Sequence, residues 1–149
     1  MKSLLLILAL LFASPVWAIT WYVATTGSDS NNCTQAQSTS TPKLTIAAGI
    51  ACLQADALNN RLEIRTGTYV EKIDSQTDTI PVGTSFANAP VIAAYAGETV
   101  VLQPSTGHPL TLIGNYIQYV IFDGLTFDAI NSAGRGVSIG GTGGAAGYI

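Results

Sequence analysis

Beyond Asn60 the chain breaks into short apolar runs, each followed by turn formers, and the spacing of those runs limits the fold more than any other feature. The runs are Leu62-Glu63-Ile64, Thr79-Ile80-Pro81-Val82, Pro90-Val91-Ile92, Val100-Val101-Leu102, Leu110-Thr111-Leu112, Val120-Ile121-Phe122, Leu125-Thr126-Phe127, Val137-Ser138-Ile139 and Tyr148-Ile149. Ile64, Ile92, Ile121 and Ile149 lie 28, 29 and 28 positions apart, and an interleaved set, Ile80, Leu110 and Val137, steps by 30 and 27. A repeat of that length is what stacked coils produce when each turn of the chain lays equivalent strands above one another. A β-sandwich would instead return a strand every roughly 8 to 12 residues. Leucine-rich repeats do not fit, because the strand positions are β-branched and aromatic and no Leu frame recurs. The spacing predicts an all-β solenoid over 61–149, comprising about three coils.

The part before Asn60 has a different texture. Ile19 to Ala24 alternates and is rich in β-branched and aromatic residues, which predicts a strand. Thr25 to Thr41 is polar and turn-forming and reads as a loop. Ser40 and Thr41 offer N-caps, Pro42 suits a first helical turn, and Ile46, Ile50, Leu53 and Ala57 share one helical face. These signals predict a helix from Lys43 to Leu58, ending at Asn59-Asn60. The first coil of a solenoid exposes unpaired backbone groups, and a helix with an Ile46/Ile50/Leu53 face is a natural cover for them. Residues 19–60 are thus expected to form a strand, a loop and a capping helix. At the other end Ile149 falls on the strand phase after the Gly-rich stretch Gly140 to Gly147 with no cap in sight, so the sequence is expected to be the N-terminal piece of a longer protein.

Residues 1–18 have the layout of a secretory leader: Lys2, the apolar run Leu4 to Ala13, a break at Ser14-Pro15, and Val16-Trp17-Ala18 as a cleavage signal. A membrane-spanning helix needs roughly 20 apolar residues and this run has ten. No later stretch is long enough, so no membrane span is expected once the leader is cut after Ala18. The predicted destination is the cell exterior, the cell surface or a periplasm. There Cys33 and Cys52 would meet an oxidising compartment and read first as a disulfide. Zinc is the weaker reading, since the only His is at position 108. Loss of Lys2 takes the formal charge of −3 to −4, and the remaining cations are scattered, which argues against a nucleic-acid partner. Asn32-Cys33-Thr34 also fits a glycosylation acceptor.

Four segments together resemble the pectin-lyase-like superfamily. Trp21-Tyr22-Val23-Ala24-Thr25-Thr26-Gly27-Ser28-Asp29 is similar to its first strand and loop, and Thr41-Pro42-Lys43-Leu44-Thr45-Ile46 with Ala47-Ala48 to its capping helix. Ile64-Arg65-Thr66-Gly67-Thr68-Tyr69-Val70-Glu71 resembles a first coil, and Val120 to Phe127 a parallel β-helix repeat. The chain departs from the pattern at Asp56 to Arg61, where a tighter Gly-Asp turn is usual. The resemblance implies a right-handed parallel β-helix with an N-terminal capping α-helix. Members include polysaccharide lyases and glycoside hydrolases, and also adhesins and tail spikes, so fold alone does not select a function. It implies a polysaccharide partner, with catalytic groups on later coils that residues 19–149 do not contain. It also leaves open a non-catalytic surface protein.

No cofactor is evident in the residues, although a lyase of this kind would use Ca²⁺, held by several converging oxygens, in a full-length protein. The candidates are Asp74 and Asp78, Asp123 and Asp128, and Arg135. A hydrolase would want two carboxylates facing each other across a cleft. Each candidate has a plainer role. Asp74 and Asp78 sit among Ser75, Gln76 and Thr77, which reads as a solvated loop. Asp123 precedes Gly124 in a corner where Asp commonly bonds its own backbone, and Asp128 closes the next strand in the same way. Arg135 lies on a turn between Gly134 and Gly136, and Glu71 and Lys72 read as a surface pair. His108, before Pro109, has no Ser or acid placed to make it a base. The residues therefore predict no catalysis by this chain alone.

Overall fold

A computed structural model describes residues 18–53, 60–114 and 117–140. The leader, the helix end expected near Asn59, and Tyr148-Ile149 lie outside those residues. The elements are β1 (Thr20–Val23), α1 (Ile46–Leu53), β2 (Arg61–Ile64), β3 (Gly67–Tyr69), β4 (Ile73–Asp74), β5 (Val91–Ala94), β6 (Val100–Leu102), β7 (Leu110–Ile113), β8 (Ile121–Asp123), β9 (Leu125–Phe127) and β10 (Val137–Gly140).

The strands form three sheets, ordered β1-β2-β5-β8, β3-β6-β9 and β4-β7-β10. Every pairing between them is parallel. From β2 onward the chain visits the three sheets in fixed rotation, so among the described strands β1 and β2 alone pair as sequence neighbours, and they do so in parallel. That excludes a sandwich of hairpins, because a hairpin makes neighbours antiparallel. The chain is thus β-rich, with one helix in the described residues and no sheet closed on itself.

Short strands need sharp corners, and glycine supplies one where no residue is spare. Gly124 alone separates β8 from β9 and has φ 66°, a left-handed conformation that a side chain would strain. A Cβ there would also sit 3.3 Å from that of Ala94.

Stacking in register builds the interior as columns. Trp21, Leu62, Ile92 and Phe122 are successive partners in the first sheet. Tyr69, Leu102 and Phe127 align in the second, and Ile73, Leu110 and Val137 in the third. These true registers correct the spacing argument. Leu62, not Ile64, is the partner of Ile92, and Ile121 faces Val91, so Ile64, Ile92 and Ile121 share a sheet but not a row, and Ile149 lies outside the described residues. Leu110 and Val137 are partners as expected, yet the residue beneath Leu110 is Ile73. Ile80 is buried but belongs to no strand. Along the first sheet one step is 30 positions both from Arg61 to Val91 and from Val91 to Ile121. In the second sheet the steps are 33 and 25, from Gly67 to Val100 to Leu125, and in the third 37 and 27, from Ile73 to Leu110 to Val137.

Helix α1 lies against β1 and β2 and buries Ile46, Ile50, Cys52 and Leu53 completely, which is the face expected of a cap. Gly49 makes the approach close: a Cβ there would come within 2.5 Å of a Val23 methyl and 2.8 Å of a Leu62 methyl. The helix starts at Ile46, three residues later than expected, because the backbone of Lys43 is engaged by β1. Lys43 N donates to Tyr22 O at 2.9 Å and Ala24 N to Lys43 O at 2.9 Å, a parallel bridge that forbids winding there. The cap is therefore Thr45, whose Oγ1 accepts Ala48 N at 3.2 Å, rather than Ser40 or Thr41.

Two carboxylates from distant segments complete that helix start. Asp29 accepts Leu44 N at 2.9 Å, Thr45 N at 3.0 Å and the Thr45 hydroxyl at 2.9 Å. Glu71 accepts Ile46 N at 3.0 Å. Glu71 is thus no surface partner of Lys72; it ties the helix to the stretch between β3 and β4. Cys33 and Cys52 are disulfide-bonded with their Cα atoms 5.3 Å apart, joining the long loop to the last turn of α1.

Candidate functional site

The loop after β1 and the ends of β2 and β5 meet on one side of the molecule. Arg65 N donates to Val23 O at 2.8 Å and Tyr95 N to Ile64 O at 2.8 Å, which continues the first sheet's ladder by one position and stacks Arg65 beside Tyr95. The guanidinium carbon lies 4.5 Å from the Tyr95 ring centroid, and Tyr22 packs against the same ring at 6.2 Å. Glu98 grips Arg65 with two oxygens: Nε donates at 2.9 and 3.0 Å, and Nη2 at 2.6 Å. It also accepts Thr66 N at 2.6 Å. The hydrogen bond between them holds the Arg65 pKa up and the Glu98 pKa down, so the pair stays charged and mutually neutralised. Beneath them the buried Tyr69 hydroxyl donates to Arg65 O at 2.9 Å, and burial pushes its pKa up to about 12.

Beside this assembly opens a cleft of about 310 Å³. It is lined by Ala24, Thr25 and Thr26 after β1, by Thr39, Ser40 and Pro42 before α1, and by Arg65 and Thr66 after β2. The walls are fixed: Asn31 Nδ2 donates to Pro42 O at 2.8 Å, the Thr41 hydroxyl donates to Gln35 O at 2.6 Å, and the disulfide closes the loop. The chemistry on offer is hydroxyl-rich and carries no net charge. Glu98, paired with Arg65, stands beside the cleft and is not part of its lining.

The residues singled out from the sequence fall elsewhere. Asp74 and Asp78 do come together, but as one turn: Asp78 Oδ2 accepts Asp74 N at 2.9 Å and Asp74 Oδ1 accepts Gln76 N at 3.0 Å. Asp74 is not solvated. It is 5% exposed on β4, because Lys72, two residues earlier on the same side, donates to its Oδ2 at 2.8 Å. Burial works to raise its pKa, but Lys72, the Gln76 N–H and the nearby His108 outweigh that and hold it below the usual carboxylate range. Asp128 is spent on Gln103 Nε2 at 2.7 Å and Ile130 N at 2.9 Å. Asp123 is exposed on β8, in the row of Tyr22, Glu63 and Ala93. Arg135 is exposed, and its N–H donates to His108 Nδ1 at 2.7 Å. Asp123, Asp128 and Arg135 therefore do not converge with the Asp74 turn. Among the described residues no group of three or more His, Cys, Asp or Glu side chains is arranged to hold a metal ion, and no helix is long and apolar enough to cross a membrane.

Sequence reasoning missed the cleft because its walls lie 14 positions apart, Thr25 to Thr39, in a loop without pattern. The doubled Thr25-Thr26 and the Arg65-Thr66 pair were the visible signals. No protein-family model, curated protein or solved structure matches the chain.

Proposed function

We propose that the chain forms an exported right-handed parallel β-helix of the pectin-lyase-like kind, capped at its β1 end by α1, and that the protein engages an extracellular polysaccharide. The observation that carries this reading is the fixed rotation of β2 to β10 through three parallel sheets with side chains stacked in register. The disulfide and the leader-like first 18 residues support export. Engagement of polysaccharide rests on the resemblance at Trp21 to Glu71. A rigid stacked frame supports it further, since such a frame holds surface groups at fixed intervals along a chain-like ligand.

For the described part, binding is favoured over turnover by one further observation. Asp29, Glu63, Glu71, Asp74, Asp78, Glu98 and Asp128 are each committed to hydrogen bonds or ion pairs within the fold, which leaves Asp123 as a single exposed carboxylate among the described residues. The test offers pectin, alginate and chondroitin to residues 19–149 and measures both retention on the polymer and release of unsaturated uronides. Retention without release is expected. Release by residues 19–149 overturns the preference for binding over turnover, and neither retention nor release removes the polysaccharide reading.

A further inference from the structure

We infer that the cleft between Thr25-Thr26 and Thr39-Ser40 is a subsite for an uncharged sugar residue, an inference that rests on the polysaccharide reading above. The Thr25, Thr26 and Thr39 hydroxyls accept and donate nothing within the described residues, and Arg65 uses Nε and Nη2 on Glu98 while Nη1 keeps its hydrogens for another partner. Each of those hydroxyls can donate and accept at once, which is the complement of a sugar hydroxyl. A volume of about 310 Å³ is of the size that small-molecule sites have, and the walls are already in place.

The charge of the ligand follows from Arg65 and Glu98. An acidic sugar needs a cation with an unspent charge, and this guanidinium is already matched by a carboxylate at 2.6 Å and immobilised on Tyr95. With its charge cancelled, Arg65 serves as a rigid neutral-field donor, so a uronate has no advantage over a neutral pyranose. The ligand class is therefore a neutral hexose or pentose unit within a larger glycan.

The experiment titrates the chain from Ile19 with neutral hexamers of β-1,4-linked mannose or galactose and with an acidic hexamer of galacturonate, following backbone and threonine methyl NMR shifts. Neutral hexamers are expected to move Thr25, Thr26, Thr39 and Thr66. Thr26→Val and Thr39→Val keep side-chain shape on exposed positions, and each is expected to weaken neutral binding by roughly five-fold, the loss of one hydrogen bond, with the melting temperature unchanged. Binding of neutral hexamers that both variants leave untouched, or tighter binding of galacturonate at these threonines, overturns the subsite while leaving the polysaccharide reading in place. No shift with any hexamer, and no retention on any polymer, overturns both.

Discussion

At one end of the molecule Trp21 is 3% exposed; at the other, Phe122, in the same side-chain column three strands away, is only half-buried. The strands are built alike, yet Val23 is sealed, whereas Val137 and Ile139 are 42% and 43% exposed. What differs is the layer above. Helix α1, clamped by Asp29, Glu71 and a disulfide, closes the β1 end, while β8, β9 and β10 are edge strands among the described residues. An apolar strand side chain is thus core or surface according to whether a neighbour lies on its far side. In this molecule the first end has a dedicated cover with its own polar fastenings.

The largest effect that separates the two ends is a cavity. Leu62→Ala, under α1 and fully buried, is expected to cost about 2 to 5 kcal/mol, whereas Ile139→Ala on β10 costs about 1 kcal/mol or less. Urea melts of the two variants check this, and equal losses break the comparison. Next comes reduction of Cys33–Cys52, which removes a fastening of the covered end only. The closed loop's chain entropy sets the expected loss at about 3 kcal/mol. A melt that does not move on reduction sinks the structural role of the bridge.

The two carboxylates at α1 sharpen the contrast further, because acid acts on them in opposite senses. Burial, partly countered by the Ala47 and Ile46 N–H groups and reinforced by Asp29 and Asp78, raises the Glu71 pKa. The folded state then holds that proton more tightly than the unfolded chain, so stability falls as pH rises from the ordinary glutamate value through the raised one. For Asp29 burial is outweighed by hydrogen bonds from Thr45 and Leu44 and by Lys43, and the pKa is lowered. Its contribution is present above the ordinary aspartate value and is lost as pH falls through the depressed one. Melting temperature against pH should therefore lose a downward slope in Glu71→Gln and an acid-side rise in Asp29→Asn. The second variant should also lose about 1 kcal/mol as a weakened helix cap. Identical profiles for both variants and the parent contradict the assignment. The smallest effect is expected for Asp123→Asn on exposed β8, within about 0.5 kcal/mol of the parent, and a larger change would mean that this side chain has a partner in the fold.

Much of this frame was legible in the chain. The apolar runs mark β2 and β5 to β10, and the cap's buried face was readable from helical spacing. Register was not, because a column is fixed by which face a residue occupies, and Ile64 and Ile92 were matched by identity alone. Strands β3 and β4, of three and two residues, are too short to leave a periodic trace. Asp74 is half-legible: Lys72 two positions earlier shares its side of the strand, which should have flagged a buried pair. Glu71 was not legible at all, since the N–H it accepts belongs to a residue 25 positions earlier. The Thr-lined cleft was hidden for the same reason, being assembled from a loop and two sheet ends that only the fold brings together.

From β2 through β8 the first sheet steps by 30 positions while the other two sheets do not, so length differences between these successive layers are absorbed at the bends and cancel before the chain returns. A bend such as that between β4 and β5 can therefore differ in length from its counterpart between β7 and β8 while the scaffold's pitch is kept. The molecule separates a constant ruler on one side from a margin of varying length on the others.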